Sequence, residues 1–349
     1  MTQPEVSLPE SPPARKPRRL GLYLPFILLL IGAVAWSGLW FWVRIQTADR
    51  MDATAEALRA AGYEVSWGTR SIGGYPFRLN VTLTEAQIRE PSGWALSAPR
   101  LESEAFMHAL RNWVFAAPEG LTFTRPESGA VRVTGQVLRA SLGEADRRPP
   151  RFDFQGRELV FEPAPGAQPF ALSSAEEVGF HLRPGPEDQG ALFLQVKKGQ
   201  ARAAGSFGRI AQDGEIALRL DLALNRMSAF HGDDWPGAVR AWASDGGEAQ
   251  VREAGLTAGD AILTVNRGMV TVGADGRLRG ALEVTLREAP RALAALGEGG
   301  VLPEETAQTA AAVTAARQGA DDVAQAAITF QAGQTTLGPV AIGPAPRVY

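Results

Sequence analysis

IALRLDLAL, residues 216–224, alternates aliphatic side chains with small or polar ones at every step. Successive side chains of a β-strand point to opposite faces, so this period of two predicts a strand with one apolar and one polar face. At about 3.4 Å per residue the apolar row is ~27 Å long. Its members are Ile216, Leu218, Leu220, Leu222 and Leu224.

Shorter rows with the same period recur along the chain, for example at Leu282, Val284 and Leu286. Asp213-Gly214 and Asp275-Gly276 are typical of tight hairpin turns between such rows. Strands joined by short turns pair antiparallel. The sequence therefore predicts a mainly β protein, in which a single N-terminal transmembrane helix precedes a β-rich domain of long antiparallel, curved sheets with a few short helices.

A rigid corner precedes one of these strands in GGYPFRLNVTL, residues 73–83. Glycines permit positive φ, and proline fixes its own φ and restricts the residue before it. We interpret the corner as a structural motif that turns the chain into a strand, and we expect the exposed Arg78 to pair with Glu64 or Glu85. The motif comprises Gly73, Gly74, Tyr75, Pro76, Phe77 and Arg78.

Residues 20–43 carry no charge and contain aromatic residues near both ends. As a helix they would be about 36 Å long, enough to cross a ~30 Å hydrocarbon core. Four basic residues lie within 15–19, whereas only Arg44 and Arg50 follow closely, so the positive-inside bias predicts a cytoplasmic N-terminus. A cleaved signal peptide is the alternative, since Ala33-Val34-Ala35 is similar to a cleavage site.

The predicted organisation has four parts. Residues 1–19 form a disordered cytoplasmic tail, residues 20–43 a transmembrane helix of the inner membrane, and residues 47–61 a juxtamembrane helix. Residues 63–349 form a β-rich periplasmic domain, which divides into two sub-domains if the loop near 141–151 is a boundary.

The composition gives few indications of catalysis. The chain has no cysteine and three histidines, and the net charge of -3 does not favour nucleic acid as a partner. His231-Gly232-Asp233-Asp234 fits a metal site on paper, but a helix-capping loop explains it equally well. No nucleophile elbow, phosphate-binding loop or zinc motif occurs. We predict that the protein is not an enzyme and has no cofactor.

Several segments resemble one bacterial envelope family, the domain of unknown function 2125. They are SWGTRSIGGYPFRLNV, SGWALSAPRLESEAF, ADGRLRGALEV and TTLGPVAIGPAP, and the resemblance spans nearly all of residues 20–349. The resemblance implies a cell-envelope location and transfers no catalytic residues. The long β-rows behind a membrane anchor are also similar in style to AsmA-like proteins, which implies a role in lipid transport or outer-membrane homeostasis.

Two functions fit this organisation. The apolar rows would line a groove that shelters or transfers a lipid or another amphiphile, or else the protein is a scaffold or assembly partner in an envelope complex. The same rows are also explained by a closed core between two layers. The groove would be lined by Ile216, Leu218, Leu220, Leu222, Leu224, Leu282 and Val284.

The charge asymmetry around residues 20–43 gives a topology prediction. A reporter fused after Tyr349 should be active only if it requires export, and N-terminal sequencing should find no cut after Ala35. Activity of a reporter that works only in the cytoplasm would contradict the predicted orientation.

Overall fold

A computed structural model of the chain describes residues 20–144, 147, 149–202, 208, 210–211, 214–232, 234–298, 302–318 and 322–349. The predicted tail at 1–19 lies outside these residues, as does Asp213 of the first predicted hairpin turn. The second predicted turn is present, with Gly276 at φ 75° between two paired strands.

The N-terminal helix α1 (Leu20–Ala60) joins the two helices predicted at 20–43 and 47–61 into one. Residues 44–46 between them contain neither glycine nor proline, so nothing in the sequence breaks the backbone hydrogen bonding there. The helix is long and apolar enough to cross a membrane, and only 11% of its most apolar window is buried within the protein. Such low burial is unlike that of a core helix in a soluble protein.

The remainder of the described chain is mainly β-structure, as predicted. Its strands are β1 (Glu64–Ser66), β2 (Arg70–Gly73), β3 (Arg78–Arg89), β4 (Ala95–Phe106), β5 (Trp113–Ala116), β6 (Leu121–Arg125), β7 (Gly129–Thr134), β8 (Val137–Gly143), β9 (Arg151–Pro163), β10 (Leu172–Pro184), β11 (Gly190–Ala201), β12 (Glu215–Leu224), β13 (Ala249–Ala258), β14 (Ala261–Val272), β15 (Leu278–Arg287), β16 (Val323–Gln331), β17 (Gln334–Leu337) and β18 (Val340–Pro344).

These strands form one 18-stranded sheet in which the paired strands run antiparallel, which confirms the predicted fold class. β3 carries β1 and β2 along one edge and β4 along the other. β4 pairs with β5 and β6, which continue through β8 and β7 to β9. From β9 to β18 each strand pairs with the next in sequence. The sheet therefore continues across residues 141–151, where Gly143 pairs with Arg151.

A 3₁₀ turn (Met227–Ala229) and, further on, three short α-helices follow β12 in the described part of the chain. The three α-helices are α2 (Trp235–Ser244), α3 (Ala289–Glu298) and α4 (Glu304–Ala315). Asp234 caps α2 by accepting a hydrogen bond from the Gly237 N–H at 2.7 Å. Helix residues share buried clusters with the strands, Val239 and Trp242 with Leu224, and Leu293 with Val284. The helices thus cover part of the apolar face.

One large buried cluster has no described helix residue in it. Val131 is fully buried and Leu159 is 2% exposed, and their neighbours come from strands β4 to β12 and from Phe170 in the connection between β9 and β10. Because strands and a connecting segment alone exclude water here, the sheet curls over itself, as the predicted curvature requires.

The corner at residues 73–78 docks on α1. The Trp36 indole N–H donates to the Pro76 carbonyl at 2.8 Å, and the Trp40 indole N–H donates to the Arg78 carbonyl at 2.8 Å. The Ser37 hydroxyl and the Tyr75 hydroxyl are 2.8 Å apart. The Tyr75–Pro76 peptide bond is cis. The corner therefore both opens β3 and fastens the sheet to α1.

Arg78 corrects one expectation. Its guanidinium pairs with Glu104 at 3.2 Å and lies 5.0 Å from the centroid of the Phe106 ring. The predicted partners Glu64 and Glu85 are wrong, because β4 borders β3 at this end. Glu64 lies at the other end of β3 and pairs with Arg89 at 3.3 Å.

The two corner glycines differ in what a side chain would meet. Gly74 has φ 97°, and a Cβ there would approach the Arg78 carbonyl oxygen to 2.8 Å, whereas a Cβ at Gly73 has no heavy atom within 4 Å. We expect Gly74→Ala to destabilise the fold by about 1–3 kcal/mol and Gly73→Ala to be close to neutral. Thermal melting of the two purified variants measures this, and equal melting temperatures would contradict it.

Candidate functional site

The aliphatic row of β12 lies within a wider apolar face. Leu220 is paired with Leu194 on β11 and with Ala254 on β13. Leu222 is paired with Leu192 and Val251 in the same way. The apolar positions of neighbouring strands are thus in register, and one face of the sheet is apolar across these strands.

Burial differs along the predicted groove residues. Ile216 and Leu224, at the ends of the row, are 5% and 9% exposed, and Val284 on β15 is 1% exposed. Leu218, Leu220, Leu222 and Leu282 are half-buried. The ends of the row are therefore closed core, while the middle remains partly open.

The opposite face of the sheet is charged. Arg219 of the same strand pairs with Glu253 at 2.9 Å, Arg267 pairs with Glu283 at 2.7 Å, and Lys197 pairs with Glu177 at 3.0 Å. These pairs link neighbouring strands on the solvent side. Exposed pairs of this kind contribute at most about 1 kcal/mol each to the free energy of unfolding, so they stabilise the sheet little. They identify the face of the sheet that is in contact with solvent.

A cavity of about 550 Å³ lies between α1 and the start of the sheet, and we call it the helix cavity. The α1 wall begins at Trp42, at the end of the uncharged run, and continues to Leu58 along one side of the helix. The facing wall is aromatic and aliphatic. The lining comprises Trp42, Val43, Gln46, Thr47, Arg50, Met51, Thr54, Ala55 and Leu58 of α1, with Val65, Trp67, Leu110 and Trp113 opposite.

A second cavity of about 220 Å³ adjoins the first, and we call it the strand cavity. Val65 and Trp67 line both cavities, so the two share a wall. The strand cavity reaches Ala98 and Ala117, which belong to the buried cluster around Val131 and Leu159. Two adjoining apolar spaces thus lead from α1 towards the buried cluster of the sheet.

Two further apolar cavities lie under the short helices. One of about 250 Å³ is lined by Leu222 and Leu224 together with Val239 and Trp242 of α2. The other, of about 300 Å³, lies between the β13–β15 strands and Leu293 of α3. Of the predicted groove residues, Leu222 and Leu224 therefore line one of these cavities.

The charged face also carries a polar cluster around Asp153 on β9. The carboxylate is 2.6 Å from His181 Nδ1, and it accepts hydrogen bonds from Arg151 at 3.0 Å and Arg183 at 3.3 Å. Ser141 is paired with Asp153 across β8 and β9. Among the described residues no hydrogen bond joins Ser141 to His181, so these side chains do not form a nucleophile–base pair.

The environment of Asp153 sets its ionisation. Burial on its own would raise the pKa of the Asp153 carboxyl. The hydrogen bonds from His181 and Arg151, with the charges of Arg151 and Arg183, outweigh burial and hold that pKa below its ordinary value of 3.8. Asp153 is therefore a carboxylate at neutral pH that ties β9 to β10.

The metal hypothesis gains no support from the described residues, among which no group of three or more His, Asp or Glu side chains is placed to hold an ion. Asp234 instead caps α2, and His231 Nδ1 lies 2.9 Å from the Ala229 carbonyl oxygen. Asp233 lies outside the described residues.

Sequence reasoning missed both the helix cavity and the Asp153–His181 pair. A partial signal for the cavity existed, since Met51, Ala55 and Leu58 share one face of the predicted juxtamembrane helix. The Asp153–His181 pair had no local signal, because it depends on the register between β9 and β10.

Together these features define a protein with one N-terminal helix able to cross a membrane and a curled antiparallel sheet whose apolar face borders several cavities. Residues 40–346 match the family described as "Uncharacterized protein conserved in bacteria (DUF2125)", and the chain belongs to this family. The match confirms the family resemblance. No curated protein and no solved structure matches the chain.

The difference in burial along the apolar face predicts unequal responses to charge. Val284→Asp would bury a carboxylate beneath α3 and should cost about 4 kcal/mol or more, whereas Leu220→Asp leaves the carboxylate close to water and should cost about 1–2 kcal/mol. Melting curves of the full chain measure both. Equal losses would mean that the middle of the row is as closed as its ends.

The lowered pKa of Asp153 predicts a pH-dependent contribution to stability. Because the folded-state pKa is below the unfolded value, the contribution is full above pH 3.8 and is lost as the pH falls through the folded-state value. Asp153→Asn should therefore melt below the parent at pH 7, and the gap should close in acid. Asp221→Asn is the control, since Asp221 makes no ion pair among the described residues. A gap that persists in acid would contradict the assignment.

Proposed function

We propose that the protein is a non-catalytic, inner-membrane-anchored periplasmic protein that shelters or transfers a lipid or another amphiphile in envelope homeostasis. The helix cavity carries this proposal. It is lined on one side by the helix that is able to cross a membrane and on the other by Val65, Trp67 and Trp113. Its volume of about 550 Å³ lies within the ~300–1,000 Å³ typical of small-molecule sites.

The chemistry of the lining fits an amphiphile. Trp42 lies at the end of the uncharged run, where a membrane-spanning helix meets the headgroup region. Gln46, Thr47 and Arg50 add polar groups along α1, while the facing wall is apolar. A molecule with a polar head and an apolar tail would place the head against α1 and the tail towards the strand cavity.

The proposed orientation rests on the charges around the helix. Four basic residues precede the uncharged run within 15–19, and two follow it closely, which favours a cytoplasmic N-terminus. The sheet and its cavities would then lie in the periplasm, with the helix cavity beside the outer leaflet of the inner membrane.

Filling the helix cavity tests the proposal. Thr54 and its neighbour Ala53 are both exposed on α1, but only Thr54 lines the cavity. We expect Thr54→Trp to reduce the lipid that co-purifies with the full chain several-fold and Ala53→Trp to leave it unchanged. Mass spectrometry of extracted lipid, normalised to protein, measures both variants against the parent.

The matched pair separates bound lipid from the lipid that surrounds any membrane helix, since both variants keep the same span. Equal lipid in Thr54→Trp, Ala53→Trp and the parent would contradict the proposal. Melting temperatures of the three proteins show whether the fold is intact.

A scaffold or assembly partner in an envelope complex is the second candidate function. One observation favours it: Ile88, Trp94 and Leu96, at the end of the β3–β4 hairpin, are 39%, 50% and 48% exposed. Ile88 and Leu96 are paired across the two strands, so these apolar side chains lie together. In that case Trp94→Ala should weaken cross-linking to a partner protein in cells without changing co-purified lipid.

A further inference from the structure

Three aromatic side chains stand exposed where the sheet meets α1. Tyr75 is 54% exposed, Phe77 is 67% exposed and Phe106 is 44% exposed. Tyr75 and Phe77 belong to the corner, and Phe106 is paired with Arg78 on the adjoining strand. Burial of large aromatic side chains is favourable, so leaving three of them together in water would be costly.

The hydrogen bonds to α1 fix the depth of this group. Pro76 is bonded to Trp36, which lies seven residues, or about 10 Å, inside the end of the uncharged run at Val43. The run is about 36 Å long as a helix, and the hydrocarbon core is ~30 Å thick. With the surplus divided between both ends, the Pro76 carbonyl lies about 7 Å below the hydrocarbon boundary.

Several polar groups of the corner have hydrogen-bond partners, which favours such a depth. The carbonyls of Pro76 and Arg78 accept hydrogen bonds from the indoles of Trp36 and Trp40. Unpaired carbonyls cost several kcal/mol where water is absent. The Arg78 guanidinium lies over the Phe106 ring and pairs with Glu104, so its charge is also compensated.

We infer that the corner enters the lipid bilayer, with Tyr75, Phe77 and Phe106 forming an aromatic collar beside α1, at and just below the hydrocarbon boundary. The occupant of this apolar surface is the lipid of the same membrane that α1 crosses. The collar gives the folded domain a second attachment to the bilayer, and this inference does not depend on whether the cavities carry lipid.

The chain has no cysteine, so single-cysteine variants can be labelled without background. Phe77→Cys and Phe106→Cys would be labelled with a bimane fluorophore in the full-length protein, reconstituted in phosphatidylethanolamine–phosphatidylglycerol vesicles. Met269→Cys is the control, since Met269 is 51% exposed on β14, many strands along the sheet from the corner.

Lipids with a doxyl quencher near the headgroup should quench the labels at positions 77 and 106 several-fold more strongly than the label at 269. Aqueous iodide should show the opposite order. Melting curves identify any variant that fails to fold, and the label at position 106 gives the same readout if the corner itself does not tolerate substitution. Iodide quenching at both collar positions that equals quenching at 269 would overturn the inference.

Discussion

An antiparallel sheet with alternating side chains has one face that has to leave water, and this constraint governs the molecule. The sheet has 18 strands, whereas α2 and α3 have ten residues each and α4 has twelve. Helices of that length cover only part of such a face. The remainder is covered by curling of the sheet, which buries Val131 and Leu159 without any described helix residue. Cavities remain where neither the short helices nor the curled sheet fills the space.

Helix α1, which is long and apolar enough to cross a membrane, covers apolar surface at the first edge of the sheet. Trp36 and Trp40 have apolar rings suited to a membrane interface, and their N–H groups bind the corner carbonyls. The continuation of α1 past the uncharged run then provides a wall opposite Trp67 and Trp113. One helix therefore contains both the uncharged run and one wall of the cavity on which the proposed function rests.

The sequence predicted what depends on local period and on turn chemistry. The alternation at 216–224 predicted a strand with an apolar face, and the antiparallel pairing followed from short turns. Burial could not be predicted, because Leu220 and Val284 have the same pattern and differ only in what packs above them. The helix cavity depends on the gap between α1 and Trp67, and the Asp153–His181 pair depends on strand register. Neither the gap between α1 and Trp67 nor the register between β9 and β10 can be read from a local sequence pattern.

If α1 crosses the membrane as proposed, its continuity couples the sheet mechanically to the bilayer. Beyond Val43 the helix continues for 17 residues to Ala60, about 25 Å, and the corner bonds hold the sheet to it. A helix that is too long for a thin bilayer tilts, and a tilt of about 20° would displace Ala60 sideways by roughly 9 Å. With no glycine or proline at 44–60 to absorb the motion, the sheet has to lean with the helix. Membrane thickness would thereby set the angle at which the sheet stands above the lipid.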